Sequence, residues 1–318
     1  MVPCYFKIAS FLIVVGAALY TMEWLSRFSR HFKKFRLVGI VSSLHCYPVA
    51  SCAGMFNRHA TCTHKGLKMV GAYDEQFLIG KATDNTFAVS SPQGTIKQYF
   101  SPSMRRIQAL CNGHDLLLTA LDADTFTLPL KSDPAKDVTS NLLQLYRADN
   151  IAAVSDMGDN VANWLSKKLP VENLRLYEVS SEIICVTPGR STYGNFVFAI
   201  EDSIEYINKI MTVEPKLTKL YFRPNIVLKG CSPLDEVKWS YIQIGDAYFK
   251  VSGPDCRIIS DRSSSPIINW KHAWELAPEI SKNVRVFDGC NVSVDLGVNA
   301  KLIVEGEISI GDPVFAAY

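Results

Sequence analysis

Between residue 37 and the C-terminus, short runs rich in Val, Ile and Leu are cut again and again by Gly, Asn and Pro, and only two stretches keep a helical period. Runs of that length, bounded by turn residues, are strands, so the core is expected to be built mainly from sheets. Residues 37–49, LVGIVSSLHCYPV, open the series, and Tyr47-Pro48 ends it or places it at an edge, because proline cannot donate to a ladder. Further strands are expected at 76–79, 86–89, 116–121, 125–130, 226–229, 241–251, 284–287 and 302–310, with Ile-Gly-Asp turns at 244–246 and 310–312. The first helix takes Ser155 or Asp156 as N-cap, lines Val161, Trp164, Leu165 and Leu169 along one face, and stops at Pro170. The second starts at Asp202 and carries Ile204, Ile207 and Met211. There is no regular strand–helix alternation, which excludes a doubly wound sheet and leaves a mixed α+β, strand-dominated class.

The chain of 318 residues, 48% hydrophobic and 20% charged, can bury a full core in one large or two modest domains. Its formal charge of +2 conceals an uneven distribution. Residues 1–36 hold six basic side chains (Lys7, Arg27, Arg30, Lys33, Lys34, Arg36) against Glu23, leaving 27 basic and 30 acidic residues for the remainder. A mildly acidic body argues against nucleic acid as a partner. Nine cysteines, an odd number without a C-x-x-C pair, point to a reducing compartment, and the lone Asn291-Val292-Ser293 tripeptide does not overturn that.

Residues 8–20, IASFLIVVGAALY, are short for a bilayer, which needs about 20 residues, but 2–22 suffice if Lys7 snorkels. The flank RFSRHFKKFR then brings five Arg and Lys residues and no acid, so the positive-inside rule puts the body on the cytosolic side of a signal anchor. A cleaved signal peptide is the rival, since Gly16-Ala17-Ala18 offers small residues.

No Walker or dinucleotide glycine loop, G-x-S-x-G elbow or H-E-x-x-H helix is present. His45, Cys46, Cys52, His59, Cys62 and His64 crowd together, yet only His59 and His64 have zinc-like spacing and no cysteine pair matches them, so buried thiols and ordinary histidines are the favoured reading. Two features remain. In Tyr221-Phe222-Arg223-Pro224-Asn225 the Arg and Asn are two apart and share a face in extended backbone; together they suit a phosphate and a heterocycle, or else a surface ion pair beside a turn. At Gly253-Pro254-Asp255-Cys256 a strand is expected to end in a turn that presents a thiol beside Arg257, fit for a nucleophile, a soft-metal ligand or a structural role.

The succession VGIVSSLHCYPVASCAG (38–54), GDNVANWL (158–165), YFRPNIVLKGC (221–231), the Ile-Gly-Asp turn, GPDC (253–256) and IGDPVF (310–315) resembles the MOSC-domain family, and within it the mitochondrial amidoxime-reducing components. The likeness covers nearly all of 37–318. It implies a β-barrel-like MOSC domain with a second N-terminal β domain: a signal anchor and basic flank at 1–36, the N-terminal β domain at 37–175, and the MOSC domain at 176–318, completed by strands from about 37–54. It further implies a molybdenum cofactor (molybdopterin) with Cys256 as the thiolate on the metal, Arg223 and Asn225 on the phosphate and pterin, and Ser51 adding a contact from the cofactor loop. The family usually has Lys where Ala50 stands, and Ser101 occupies the place of a second Arg, with Arg105 and Arg106 close enough to substitute. Tyr193-Gly194-Asn195 and the run after Cys256 also depart from the pattern.

By the same resemblance the chain would reduce small N-hydroxylated substrates such as amidoximes and hydroxylamines, with electrons from cytochrome b5 and NADH-cytochrome b5 reductase. It would sit in the mitochondrial outer membrane, the endoplasmic reticulum being the alternative, and pyridoxal phosphate binding is a further property attached to the family. A non-catalytic MOSC-fold binding protein at the membrane and a sulfur carrier forming a persulfide on Cys256 are the competing functions.

Overall fold

The computed structural model describes residues 34–69, 86–91, 97–98, 102–111, 114–130, 141–144, 150–185, 196–210, 218–219, 223–260, 284–287 and 291–318. The N-terminal segment 1–33, the strand expected at 76–79, Ser101 and Tyr193-Gly194-Asn195 lie outside them. No helix among the described residues is long and apolar enough to cross a membrane.

Two barrels carry the fold. The larger runs through seven strands in the order Phe196–Ile200, Ile226–Lys229, Arg36–Cys46, Pro313–Ala317, Tyr241–Ile244, Ala247–Ser260 and Asn291–Val304, and closes because the last pairs back to the first. The closing pair needs a close approach at Gly297, where φ is +74° and a Cβ would collide with the Phe198 carbonyl. Within it Phe249 is fully buried and meets Phe196 and Phe198 edge-on, with centroids 5.1 and 5.2 Å away, the packing aromatic rings favour. The smaller barrel closes Asn141–Gln144, Asn150–Asp156, Arg175–Cys185, Phe87–Ser91 and Lys97–Gln98. Two three-stranded sheets complete the fold: His59–Thr63 between Gly66–Met69 and Gly306–Ser309, and Asp115–Thr119 between Gln108–Cys111 and Thr125–Pro129.

Two α-helices are found among the described residues, Asp159–Lys168 and Glu201–Ile210. The first buries Val161, Ala162, Trp164 and Leu165, with Asp159 in its first turn and Lys167 and Lys168 in its last, as the helix dipole favours. Its cap is Gly158, not Ser155 or Asp156, because both of those complete the strand Asn150–Asp156; Asp156 instead accepts the Gly158 N–H at 2.8 Å.

The strand expected at 241–251 is a hairpin whose Gly245-Asp246 turn joins Tyr241–Ile244 to Ala247–Ser260. Its second arm does not end at Gly253-Pro254. The ladder shifts register on either side of these two residues, which lets a proline stand inside it, and continues to Ser260. The strand Arg175–Cys185 pairs with Asn150–Asp156 and Phe87–Ser91, so the smaller barrel extends to Cys185, past residue 175. Arg36–Cys46 lies in the larger barrel between Ile226–Lys229 and Pro313–Ala317, so the first described strand completes a barrel formed otherwise by strands from residue 196 onward, as the resemblance implies.

Candidate functional site

The segment after Arg36–Cys46 leaves the larger barrel and is stitched to the other half of the molecule. Val49 bridges to Phe87, Ala50 donates its N–H to the Phe87 carbonyl at 2.8 Å, and Phe87 returns one to Pro48 at 2.9 Å. Ala53 donates to Ile107 at 2.8 Å and accepts from Ala109 at 3.1 Å. Residues 47–53 therefore form a loop pinned from the small barrel on one side and from the sheet containing Gln108–Cys111 on the other.

Against this loop sits the segment 223–225. The Arg223 guanidinium lies over the Tyr47 ring, 4.1 Å from its centroid, and donates from Nη1 to the Cys52 carbonyl, while the Tyr47 hydroxyl donates to the Pro224 carbonyl at 3.3 Å. The ring face and the carbonyl thus fix the position and plane of the cation. Ser51 and Arg223 both have positive φ, +70° and +47°, backbone conformations that side-chain-bearing residues seldom adopt and that concentrate at functional sites. Ser51 is buried. The structure therefore brings Arg223 and the Ser51 loop together.

Asn225 is placed differently from the sequence expectation. Its carboxamide is buried and faces backbone: Oδ1 accepts the Val197 N–H at 2.9 Å and Nδ2 donates to the His45 carbonyl at 3.4 Å. The Asn225 main chain adds bonds to the same two residues, so it clamps the strands on both sides of the Arg223 turn. Arg105 is exposed on the short 3-10 helix Pro102–Arg106, with buried Met104 beneath it, and that helix ends one residue before Ile107, which holds Ala53. Arg105 thus lies two residues before the Ile107 contact that holds the loop. Ala50 is buried beside Ala88, Val154 and Tyr177.

Cys256 lies in the strand Ala247–Ser260, in register with Asp295, within a ladder irregularity and not at a turn; its side chain lies outside the described residues. Burial pushes the Cys52 thiol up to about 12 despite the neighbouring Arg223, and pushes Cys231 up to about 12 with help from Asp202, Glu236 and Asp235. Both stay protonated at neutral pH. Burial, reinforced by the charge of Lys219, lowers His45 to about 4, so it is neutral beside the site. The crowded His and Cys residues of 45–64 disperse: His45 bonds to Ser43 at 3.0 Å, Cys46 to the Leu67 carbonyl at 3.3 Å and His59 to Ser309 at 2.8 Å. Among the described residues no group of three or more His, Cys, Asp or Glu side chains is placed to hold a metal.

Tyr47 is the site residue that sequence reasoning missed. It read as a strand terminator, and the one available signal was an aromatic ring next to Pro48, with no indication of the cation it would carry.

Two closed barrels joined by a loop that belongs to both define the class. Residues 38–172 match the MOSC N-terminal beta barrel domain and residues 195–315 the MOSC domain, and the chain belongs to the MOSC-domain family. Over 95% of its length it is 26% identical to mitochondrial amidoxime reducing component 2 of Rattus norvegicus and to the Homo sapiens protein of the same name, covering 90% of each. It is also 27% identical, over 69% of its length, to molybdenum cofactor sulfurase 2 of Culex quinquefasciatus, of which it covers 30%.

Proposed function

We propose that this chain is a membrane-anchored molybdenum-cofactor oxidoreductase that reduces N-hydroxylated compounds, drawing electrons from cytochrome b5 and its NADH-dependent reductase at the mitochondrial outer membrane. One observation carries the reading: an arginine held flat by an aromatic face and a carbonyl, in a left-handed backbone turn, against a strained serine loop at the junction of two MOSC barrels. The donor set fits a group that bears a phosphate. A guanidinium fork matches phosphate oxygens, and its position is set before any ligand arrives, so little ordering is required on binding.

In this reading Arg223 binds the phosphate, Ser51 offers its hydroxyl or N–H from the loop, and Arg105 adds positive charge at the rim. Asn225, engaged with backbone, holds the turn that aims Arg223. Cys256 supplies the thiolate to molybdenum, as its homologous place in the family implies. The bound cofactor would supply the two-electron chemistry that removes oxygen from the substrate. His45 is neutral and Cys52 protonated, so neither changes the charge that Arg223 brings to the loop.

The test is the molybdenum and pterin content of the full chain produced in a host that makes the cofactor, compared with Cys256→Ala and Arg223→Ala. Near-stoichiometric metal is expected in the wild type. Removing one charge-assisted contact of about 1.5–3 kcal/mol should lower affinity by one to two powers of ten in Arg223→Ala. A folded wild type without metal would refute the proposal and favour the non-catalytic MOSC-fold protein; cyanide-releasable sulfur on that metal-free chain would favour the sulfur carrier.

A further inference from the structure

The strand that ends at the site begins with an apolar strip turned outward. Leu37 pairs with Phe315 and Ile40 with Pro313, and residues directly opposite each other in a sheet share a face. Positions 37 and 40 are three apart and would point to opposite faces of a regular strand. A register shift between Leu37 and Gly39 inserts Val38 as an extra residue and turns both outward. The same shift brings Gly39 so close to Lys229 that a Cβ there would strike its carbonyl oxygen. All four side chains are exposed, Leu37 at 63% and Phe315 at 37%, while Val41, Val314 and Ala316 point into the core. Just before the strip Lys34 is exposed; Arg36 pairs with Ala316 and so stands on the opposite face, where its guanidinium lies 5.6 Å from the ring centroid of Tyr318, whose hydroxyl donates to Asp235.

We propose that this strip, Leu37, Ile40, Pro313 and Phe315, rests on an anionic lipid surface, with the Arg223 site facing away from it. This deepens the proposed function and rests on its membrane-anchor reading. A lipid surface is the occupant because of what precedes the strip in the chain: the apolar stretch 8–20 and the basic run 27–36, which ends where the strand begins. Three further residues of that run, Arg27, Arg30 and Lys33, join Lys34 and Arg36, and such clusters are drawn to anionic headgroups. Tyr47 follows the strand and lies seven residues beyond Ile40, the near end of the strip, which at roughly 3.3 Å per residue puts the site loop about 20 Å from it. The site is thereby left open to soluble partners.

The experiment places a benzophenone amino acid at position 37, 315, 56 or 121 of the full chain, reconstituted in vesicles of phosphatidylcholine and phosphatidylserine. Phe56 lies towards the site end of the first strand, facing His45, and Leu121 in a turn of the other half; both are exposed and serve as controls. Lipid adducts at 37 and 315, lost at 56 and 121, are the expected result. Vesicle-bound protein with no lipid adduct at 37 or 315, or with adducts there only to residues 1–33 or to a second copy, overturns the docking surface while leaving the anchor standing. A chain that does not float with the vesicles overturns the anchor reading and the surface together.

Discussion

In the larger barrel the polar groups that matter are sealed inside. Glu236 has no exposed surface and accepts hydrogen bonds from the Ser203 hydroxyl at 2.9 Å and the Gly297 N–H at 3.3 Å, tying the helix Glu201–Ile210 to the strand that closes the barrel. Asn225 is buried in the same manner. Around the smaller barrel the ionic groups lie outside: Lys168 reaches Asp122 at 2.6 Å and Asp124 at 2.8 Å, and Arg175 reaches Asp156 and Asp159, with three of the four carboxylates at least half exposed. The difference teaches which polar contacts specify the structure. A buried group stripped of its partner bears the full cost of desolvation, whereas an exposed ion pair exchanges one solvated state for another.

Four substitutions can break or sharpen that contrast. Phe249→Ala should have the largest effect, destabilising the chain by about 3–5 kcal/mol in denaturant unfolding, because it empties the space between Phe196 and Phe198. Asn225→Ala should cost about 2 kcal/mol even in cofactor-free protein, since the Val197 N–H and the His45 carbonyl lose their partner; an unchanged unfolding midpoint would reassign Asn225 to ligand binding alone.

Glu236→Gln should cost about 1–2 kcal/mol near pH 5 and change the pH dependence. Burial, with Asp235 adding to it, raises the Glu236 carboxyl above its ordinary value against the pull of its hydrogen bonds. The folded state therefore holds this proton more tightly than the unfolded one. Its contribution is present below the ordinary glutamate range and is lost as pH rises through the raised value, and the glutamine variant should lack that decline in unfolding midpoint. Arg175→Met should be the mildest, under about 1 kcal/mol, with the loss shrinking further in high salt.

Much of the architecture was legible because strands and turns are local events. The strands Ile226–Lys229 and Val284–Phe287 occur at the expected bounds, and both helices lie within a few residues of their expected positions. Pro254 misled because a proline in a strand ordinarily ends it; here the opposing strand shifts register around it, and a shift against its partner Val298, far along the chain, leaves no local trace. At the site, Arg223 and Ser51 could be singled out from residue type and resemblance. That Asn225 would turn inward and Tyr47 would carry the cation depended on which strands became neighbours.

The sequence by itself determined the strand-rich composition, the punctuation of the strands, the position of the two helices and the concentration of positive charge before residue 37. Each is set by short-range sterics, side-chain period or charge count. Only the tertiary structure decided that Gly297 would admit the closing pair of the larger barrel, and that Val38 would bulge so that Leu37 and Ile40 face outward. These depend on contacts between residues about a hundred positions apart or more, whose geometry is settled by packing and hydrogen-bond satisfaction across the whole barrel and not by the preference of any one segment.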